Sequence, residues 1–369
     1  MKILTHEQTI PGAVRPIHLS DSIIFSDQES KGRSGHIGHA MTLLSPGRIL
    51  DFYPNTSAKR CGGHAAYGLM EYRISEDYGK TFGEAQIFPY SWDSFLDGIF
   101  TVSVEKAVTA ADGSVTAFCL RNSTKQEICC EPWYTPTFVR SEDGGKTWGD
   151  ARELSTYRGR IYDAIRYGDA ILVLEFCNSA EKHFCGNEPD HLYRLFQSDD
   201  NGKTFYEKCV VPFPDTMGRG YGNMIVTPDN RLIVYAYNLN AEDRMDYIIS
   251  PDGGSTWEAA GVSVVEKCIR NPQVGLLDGQ YILHGRAGEN RPNNDKFVLY
   301  TSADGIHWNE GTFLSYGRTA CFYSNNLVVR GADGIDRMLM QYSENYNDPN
   351  PDVWTGQVNT MHLWVESVR

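Results

Sequence analysis

The sequence predicts an all-β fold, namely a six-bladed β-propeller built from four-stranded antiparallel blades. Three observations support this prediction: a short phrase that recurs five times, a pair of apolar runs upstream of each copy, and the near absence of helical periodicity. A long-period repeat is the mark of propellers and solenoids. Because the repeats cover nearly the whole chain, residues 1–369 are predicted to form one domain.

The recurring phrase reads Ser-x-Asp-x-Gly-x-Thr followed by Trp or Phe. Its copies begin at Ser75, Ser141, Ser198, Ser250 and, in a shortened form, Ser302. Asp caps a turn with its side chain, Gly supplies a positive φ, and the hydroxyls close the loop. The terminal aromatic residue can pack beneath the turn as an apolar anchor. Each copy follows a short apolar run, so each predicts a tight turn between two strands.

Upstream of each phrase, two apolar runs flank a tight turn. In the clearest case, residues 224–226 and 232–237 flank the turn at 227–230. Alternation at period two is visible over residues 231–237 and predicts a strand there. Two strands from this element and two from the phrase give the four strands of a propeller blade.

A sixth unit begins at residues 322–329 and continues through 338–342, but it lacks the phrase. We expect it to be completed by the C-terminal run 360–365 and the N-terminal run 17–25. Closing the ring with both chain ends in one blade would leave no sheet edge unpaired at the junction.

The composition of the chain limits the kinds of partner and the location that we expect for the protein. The net charge of −13 disfavours nucleic acid and anionic membrane surfaces. No apolar run is long enough to cross a bilayer, and the first seven residues do not resemble a signal peptide, so a cytoplasmic location is expected. The 21 Tyr and 7 Trp suit β-structure and surfaces that face a carbohydrate. The oligomeric state stays open.

The cysteines predict neither disulfides nor a metal centre. Nine of them, an odd number, occur without a disulfide-like rhythm, and we interpret them as mostly reduced thiols. A zinc site among the loop cysteines would lack the Cys-x-x-Cys spacing that usually supports one. We therefore expect no cofactor and no metal.

The five phrases, over about residues 30–345, resemble the Asp-box repeats of the sialidase (neuraminidase) superfamily. The resemblance implies a propeller in which the Asp boxes lie at the blade periphery and have a structural role. It also implies a site near the axis, where the innermost strands begin. Asp boxes occur in propeller lyases, other glycosidases and non-enzymatic proteins as well, so the reaction is not determined by them.

The predicted starts of the innermost strands are unusually polar. They are the segments 36–39, 97–100, 160–163, 219–223, 270–273 and 318–323. The substrate-binding candidates drawn from these segments and their surroundings are Arg286, Arg318, Arg219, Arg160, Arg270, Tyr221, Tyr162, His39, Asn271 and Gln273. The catalytic candidates are Tyr323, His36, His64, Asp97 and Asp163. Histidine and carboxylate side chains are the usual acid/base groups near neutral pH.

The resemblance also implies roles for particular residues. Sialidases hold the substrate carboxylate with three arginines, because guanidinium binds planar anions in a bidentate manner. They use a tyrosine paired with a glutamate as nucleophile. Tyr323 followed by Ser324 resembles that nucleophile position, and Arg286 resembles a triad arginine. Arg318 is a further triad candidate, although it lies nearer to Tyr323 than the family spacing suggests.

The chain departs from the family pattern at three positions. His36-Ile37-Gly38 stands where the family has Arg-Ile-Pro. The loop 54–67 has no acid/base aspartate but contains Lys59, Arg60 and His64. An amide stands where the glutamate partner of the tyrosine is expected, near residues 271–273.

Three functions remain open at this point. The first is a sialidase-like, exo-acting glycoside hydrolase that acts on a terminal acidic sugar held by arginines. The second is a polysaccharide lyase that cleaves uronate glycans by β-elimination, with His and Tyr transferring the protons. The third is a glycan-binding propeller without catalysis.

Overall fold

The computed structural model describes residues 8–36, 38–62, 65–124, 134–177, 192–214, 218–238, 240–287, 296–316, 323–343 and 356–369. Over these residues the chain forms six antiparallel sheets arranged as the blades of a ring. The predicted six-bladed β-propeller is therefore confirmed. Across the described ranges, no helix is both long and apolar enough to cross a membrane.

The strands follow one another around the ring in chain order. Near the N-terminus lie β1 (Gln8–Ile10), β2 (Ile17–Leu19) and β3 (Ile23–Ser26), followed by a 3-10 turn at Glu29–Lys31. Blade 1 contains β4 (Arg33–Ser34), β5 (Ala40–Ser45), β6 (Arg48–Gly62), β7 (Ala65–Ser75) and β8 (Gln86–Ile87). After helix α1 (Pro89–Asp97), blade 2 contains β9 (Phe100–Thr109), β10 (Val115–Ser123), β11 (Thr137–Ser141) and β12 (Arg152–Glu153). Blade 3 contains β13 (Gly159–Tyr167), β14 (Ala170–Cys177), β15 (Leu192–Ser198) and β16 (Tyr206–Val210).

The remaining blades repeat this plan. Blade 4 contains β17 (Arg219–Val226), β18 (Leu232–Asn238), β19 (Arg244–Ser250) and β20 (Ala259–Val264). Blade 5 contains β21 (Arg270–Leu277), β22 (Gln280–Arg286), β23 (Lys296–Ser302) and β24 (Thr312–Tyr316). Blade 6 contains β25 (Ser324–Arg330), β26 (Asp336–Ser343) and β27 (Thr360–Ser367). The innermost strands of the six blades are β5, β9, β13, β17, β21 and β25. The sequence predicted that these segments would be innermost.

Both chain ends complete blade 6, as predicted. Its strand order is β25, β26, β27, β2 and β1, and β3 also pairs with β27. At the seam with blade 1, His362 Nε2 lies 2.9 Å from Asp51 Oδ2, and the Phe25 ring stacks on His362 at 3.9 Å. Burial raises the pKa of Asp51, and His362 opposes that shift. The seam that closes the ring is thus a buried polar contact between the first and the last blade.

The hydrophobic core is divided among the seams of the ring. The buried apolar side chains form six clusters, and each cluster contains residues from at least two adjacent blades. One of them combines Leu50 and Phe52 of blade 1 with Val102 and Val104 of blade 2. Burial between blades, rather than in one central core, leaves the axis free for polar side chains.

The Asp boxes form the predicted turns between the third and fourth strands of blades 1 to 5. In blade 2, Asp143 Oδ1 accepts from the amide of Thr147 at 2.9 Å, and its Oδ2 accepts from the Thr147 hydroxyl at 2.6 Å. Ser141 Oγ accepts from the amide of Gly145, which has φ +86°. The side chains therefore satisfy the backbone of a turn that leaves the ladder.

The aromatic anchors of two Asp boxes contact the preceding blade. Trp148 of blade 2 contacts Phe52 and Phe88 at ring separations of 5.5 and 5.1 Å, and both belong to blade 1 or its exit. Phe205 of blade 3 likewise contacts Phe118 of blade 2 at 5.5 Å. The repeated phrase thus joins consecutive blades as well as closing a turn.

The described part of the chain contains one short α-helix, although the sequence shows almost no helical periodicity. Helix α1 has Pro89 at its first position, and Gly98 ends it in the left-handed conformation with φ +70°. Proline at the start and glycine just past the end are a helix signature, but a nine-residue segment is too short to show a clear periodicity. Asp97 consequently ends a helix and is exposed, whereas the strand begins at Phe100.

Blade 3 contains a buried acid whose titration can be tested. Glu175 on β14 is fully buried, and burial raises its pKa to about 8. Between its ordinary pKa and about pH 8, the unfolded chain loses this proton while the folded chain keeps it, so stability falls as pH rises through that window. We expect Glu175→Gln to remove this loss, which amounts to at most about 4 kcal/mol between pH 5 and pH 9.

Urea unfolding of both proteins across this pH range measures the effect. Glu153→Gln, which alters an exposed carboxylate of the neighbouring blade, is the matched control. Parallel pH profiles for wild type and Glu175→Gln would show that Glu175 ionises normally in the folded state.

Candidate functional site

The inner strands of blades 2 to 5 each contain a β-bulge at a similar level. In β9 the residues on either side of Glu105 pair with two consecutive residues of β10, so Glu105 is the extra residue. The same irregularity occurs at Tyr162 in β13, at Tyr221 in β17, and at Asn271 with Pro272 in β21. A bulge re-aims a side chain away from the regular pleat and is frequent beside active sites. These residues therefore face a common space at the axis.

Several predicted residues line one cleft at this end of the ring. They are Tyr323, Arg160, Tyr162, Tyr221, His39, Asn271 and Gln273. The strand starts identified in the sequence thus converge, although they are up to 284 residues apart in the chain. Glu105 and Lys106 line the same cleft.

Two tyrosine hydroxyls meet in the cleft. Tyr323 Oη lies 3.2 Å from Tyr221 Oη, and both residues are buried. The Arg160 guanidinium carbon is 5.6 Å from the centre of the Tyr323 ring and 5.4 Å from that of Tyr221. His36 contacts Tyr323 edge to face, with 5.0 Å between ring centres. A cation at this distance from two phenol rings stabilises negative charge that develops on either oxygen.

Glu105 is the carboxylate of the cleft, and it was absent from the residues predicted from sequence. Its Oε2 accepts from Arg160 Nη2 at 2.6 Å and from Arg160 Nε at 3.0 Å. The two side chains are 10% and 5% exposed, so this is a buried ion pair. The signal was available, because Glu105-Lys106 interrupts an otherwise apolar strand, and charged residues are rarely buried without a partner.

Three other predicted arginines, Arg219, Arg270 and Arg286, are buried. Arg219 Nε donates to Asp246 Oδ2 at 2.6 Å, which compensates its charge. Arg270 and Arg286 are opposite each other in the ladder of β21 and β22. Burial raises the pKa of Tyr237, and both of these cations oppose the shift, so they lie close to that phenol. Arg270 also lies 5.9 Å from the Tyr221 ring.

Asn271 has an unusual backbone and an unusual side chain. Its φ of +55° places a non-glycine residue in the left-handed region. Its amide is buried, and neither Oδ1 nor Nδ2 has a hydrogen-bond partner within the described part of the chain. Opposite the bulge, a Cβ on Gly285 would lie 2.8 Å from the carbonyl oxygen of Asn271, so the ladder needs glycine there. Strain and an unpaired amide together mark a position prepared for a ligand.

The predicted histidine His39 and the predicted carboxylates Asp163 and Asp97 differ in their surroundings. Burial lowers the pKa of His39 to about 4, so its ring is neutral near pH 7. Its Nε2 lies 2.9 Å from the Gly35 carbonyl oxygen and therefore donates to it. Asp163 lies deeper along the axis, where its Oδ2 accepts from Asn223 Nδ2 at 2.7 Å. Asp97 is exposed at the end of α1.

Two predicted site residues, His64 and Arg318, lie outside the described residues. Within the ranges that the structure describes, no group of three or more His, Cys, Asp or Glu side chains is arranged to hold a metal ion.

Known proteins with similar sequence or fold include sialidases. No protein-family model matches the chain. It is 30% identical over 134 residues to a sialidase of Paraclostridium sordellii. The aligned region covers 32% of this chain and 31% of that protein. The matched region thus spans about a third of that relative.

Solved structures extend the similarity to the whole ring. A protein of unknown function from Dyadobacter fermentans has a TM-score of 0.67 at 15% identity, covering 97% of this chain and 100% of that one. The NanB sialidase of Streptococcus pneumoniae has 0.63 at 11%, covering 94% and 70%. Trypanosoma rangeli sialidase has 0.61 at 12%, covering 90% and 54%. At these identities the structural similarity shows the fold.

Proposed function

We propose that this chain, a six-bladed β-propeller of the sialidase superfamily, is a glycoside hydrolase that removes a terminal acidic sugar from a glycan. The observation that carries the proposal is the hydroxyl contact of 3.2 Å between Tyr323 and Tyr221 beside the buried guanidinium of Arg160. A phenol held next to a cation is a suitable nucleophile for an anionic sugar, because it avoids bringing a carboxylate against the substrate's own charge.

In the proposed reaction, the oxygen of Tyr323 bonds to the anomeric carbon while the bond to the leaving oxygen breaks. His36, whose ring contacts that of Tyr323, takes the phenol proton and delivers it to the leaving oxygen. Water then attacks the anomeric carbon, the bond from that carbon to the Tyr323 oxygen breaks, and a proton of the water passes through His36 to the phenolate oxygen. The guanidinium of Arg160 supplies positive charge near the phenolate, and its ion pair with Glu105 keeps the guanidinium fixed.

The substrate carboxylate is assigned to the arginines around the cleft. Arg270 and Arg286 are neighbours in one ladder and approach the same phenol, so their charges act on a common region. Guanidinium groups recognise a planar carboxylate through paired N–H donors. The amide of Asn271 is assigned to a sugar hydroxyl or to an N-acyl group, because both amide atoms are available to a ligand.

A uronate lyase is the second candidate, and one observation favours it. The paired hydroxyls of Tyr323 and Tyr221 lie beside His36, while the carboxylate Glu105 is already neutralised by Arg160. Such a set can remove the C5 proton of a uronate and protonate the leaving oxygen at C4, which leaves a double bond between C4 and C5. Arginine would neutralise the uronate carboxylate in this reaction.

One pair of assays separates these functions. The protein is incubated with an aryl sialoside, and free sugar is measured. It is also incubated with uronate polysaccharides, and the absorbance of unsaturated uronate is followed. We expect release of the sugar and no change in absorbance. A rise in absorbance without sugar release would instead identify a lyase, and inactivity in both assays with retained glycan binding would identify a non-catalytic propeller.

A further inference from the structure

We propose that Lys106 is a built-in axial cation that closes the centre of the propeller and positions the residues of the cleft above it. Its ammonium donates to Gln273 Oε1 at 2.6 Å and to Asn325 Oδ1 at 3.0 Å, and it lies 3.1 Å from Asp163 Oδ1. These three partners come from blades 5, 6 and 3, whereas the lysine belongs to blade 2. The side chain is 11% exposed, so the charge is held inside the ring.

The remaining two blades complete the circle. Asn223 of blade 4 donates through Nδ2 to Asp163 Oδ2 at 2.7 Å, and its Oδ1 accepts from the amide of Val274 at 2.9 Å. Asn325 Nδ2 donates to the carbonyl oxygen of His39 at 2.9 Å, which brings in blade 1. We call these residues, Lys106, Asp163, Asn223, Gln273 and Asn325, the axial belt. With Lys106 itself, all six blades thus contribute a group to one hydrogen-bonded network.

The axial belt lies directly beneath the cleft in the register of the strands. Lys106 follows the bulged Glu105, Asp163 follows Tyr162, and Gln273 follows the bulge in β21. In each of these strands, the bulged residue lines the cleft and the residue after the bulge belongs to the axial belt, and Lys106 and Gln273 of the belt line the cleft as well. Moving the ammonium would therefore move the strand starts that carry the cleft residues.

The charges explain why a lysine suits this position. Three oxygen acceptors converge on one point, and an ammonium has three donors that can be directed independently. Asp163 supplies an opposing charge, and its Oδ2 also accepts from the amide of Met224 at 2.7 Å. Removing the lysine alone would leave Asp163 buried without a cation, whereas removing both charges would not.

A double-mutant cycle tests this coupling. Lys106→Met is expected to lower the midpoint of thermal unfolding by on the order of 5 °C or more. Asp163→Asn should destabilise the wild type, yet it should raise the midpoint when added to Lys106→Met. Lys208→Met is the matched control, because Lys208 also donates to a glutamine, at 2.7 Å, but at the outer edge of blade 3. The control should shift the midpoint by about 1 °C or less.

Other outcomes would overturn the proposal. If Lys106→Met costs no more than the control, or if the two substitutions in the belt destabilise additively, Lys106 is not an axial counter-ion. If Lys106→Met fails to fold, acetylation of the native wild type followed by mass spectrometry tests whether the Lys106 ammonium is held inside the ring. Lys106 is expected to stay unmodified until the protein unfolds, while the exposed Lys80 reacts at once. Equal reaction of both lysines would contradict the proposal.

The positioning role rests on the proposed function and has its own measurement. Below its unfolding midpoint, Lys106→Met should lower kcat about tenfold or more with little change in KM, because the cleft residues lose alignment rather than substrate contacts. An unchanged kcat in a folded Lys106→Met protein would overturn the positioning role. A wild type that is inactive on every substrate would refute the proposed function, while the unfolding cycle would still test the axial cation.

Discussion

Tyr323→Phe is expected to lower kcat for sugar release by about 10²–10⁴-fold, because it removes the oxygen that attacks the anomeric carbon. The ring and its contacts with Arg160 and His36 remain, so the fold and KM should change little. Tyr221→Phe leaves the nucleophile in place and removes only its hydrogen-bonding neighbour. It should therefore cost less, on the order of tenfold. Steady-state kinetics on an aryl sialoside measure both effects.

Tyr206→Phe is the matched control for this experiment. Tyr206 is half exposed on an outer strand, and its hydroxyl donates to Asp199 Oδ2 at 2.8 Å. Its substitution should leave kcat unchanged. Full activity of Tyr323→Phe would exclude Tyr323 as the nucleophile.

Arg160→Gln is expected to lower both stability and activity. It leaves the carboxylate of Glu105 buried without its cation, which typically costs about 3–5 kcal/mol. Adding Glu105→Gln should restore most of the stability because the uncompensated charge disappears. The double variant should nevertheless stay inactive, because the charge beside Tyr323 and Tyr221 is gone. Urea unfolding and kinetics on the same samples separate the two effects.

An exposed ion pair provides the comparison. Arg48 Nε donates to Glu76 Oε2 at 2.7 Å, but the side chains are 33% and 65% exposed. Arg48→Gln should therefore cost less than about 1 kcal/mol and leave kcat unchanged. A double variant of Arg160 and Glu105 with normal activity would show that this pair only stabilises the fold.

The repeated phrase made the fold predictable because its structure is local. In each Asp box the serine and aspartate side chains accept from backbone amides a few residues farther along, as Ser141 does from Gly145 and Asp143 from Thr147. Such contacts depend little on the rest of the chain, so their sequence pattern is direct evidence for a turn. Five copies then imply the blades between them, and both chain ends could be assigned to the sixth blade.

The residues of the cleft were predicted less completely than the blades. Both the bulges and the side on which each residue lies depend on the register between strands. The bulges that turn Glu105, Tyr162 and Tyr221 toward the axis are mismatches between strands, and they leave no fixed mark in either strand alone. Glu105 was overlooked because it lies inside an apolar run. Asp163 was predicted as an acid/base candidate from its place near a strand start, whereas in the structure Tyr162 lines the cleft and Asp163, one position later, belongs to the axial belt.

By itself, the sequence determined the number of blades, the position of each Asp box, the closure by both chain ends and the set of polar strand starts at one end of the ring. Only the tertiary structure decided which of those side chains meet. It paired Arg160 with Glu105, brought the hydroxyls of Tyr323 and Tyr221 together, and placed Lys106 among acceptors from three other blades. The physical reason is range: turns are specified by neighbouring residues, whereas contacts at the axis join residues from different blades, whose mutual register is set by packing at the seams.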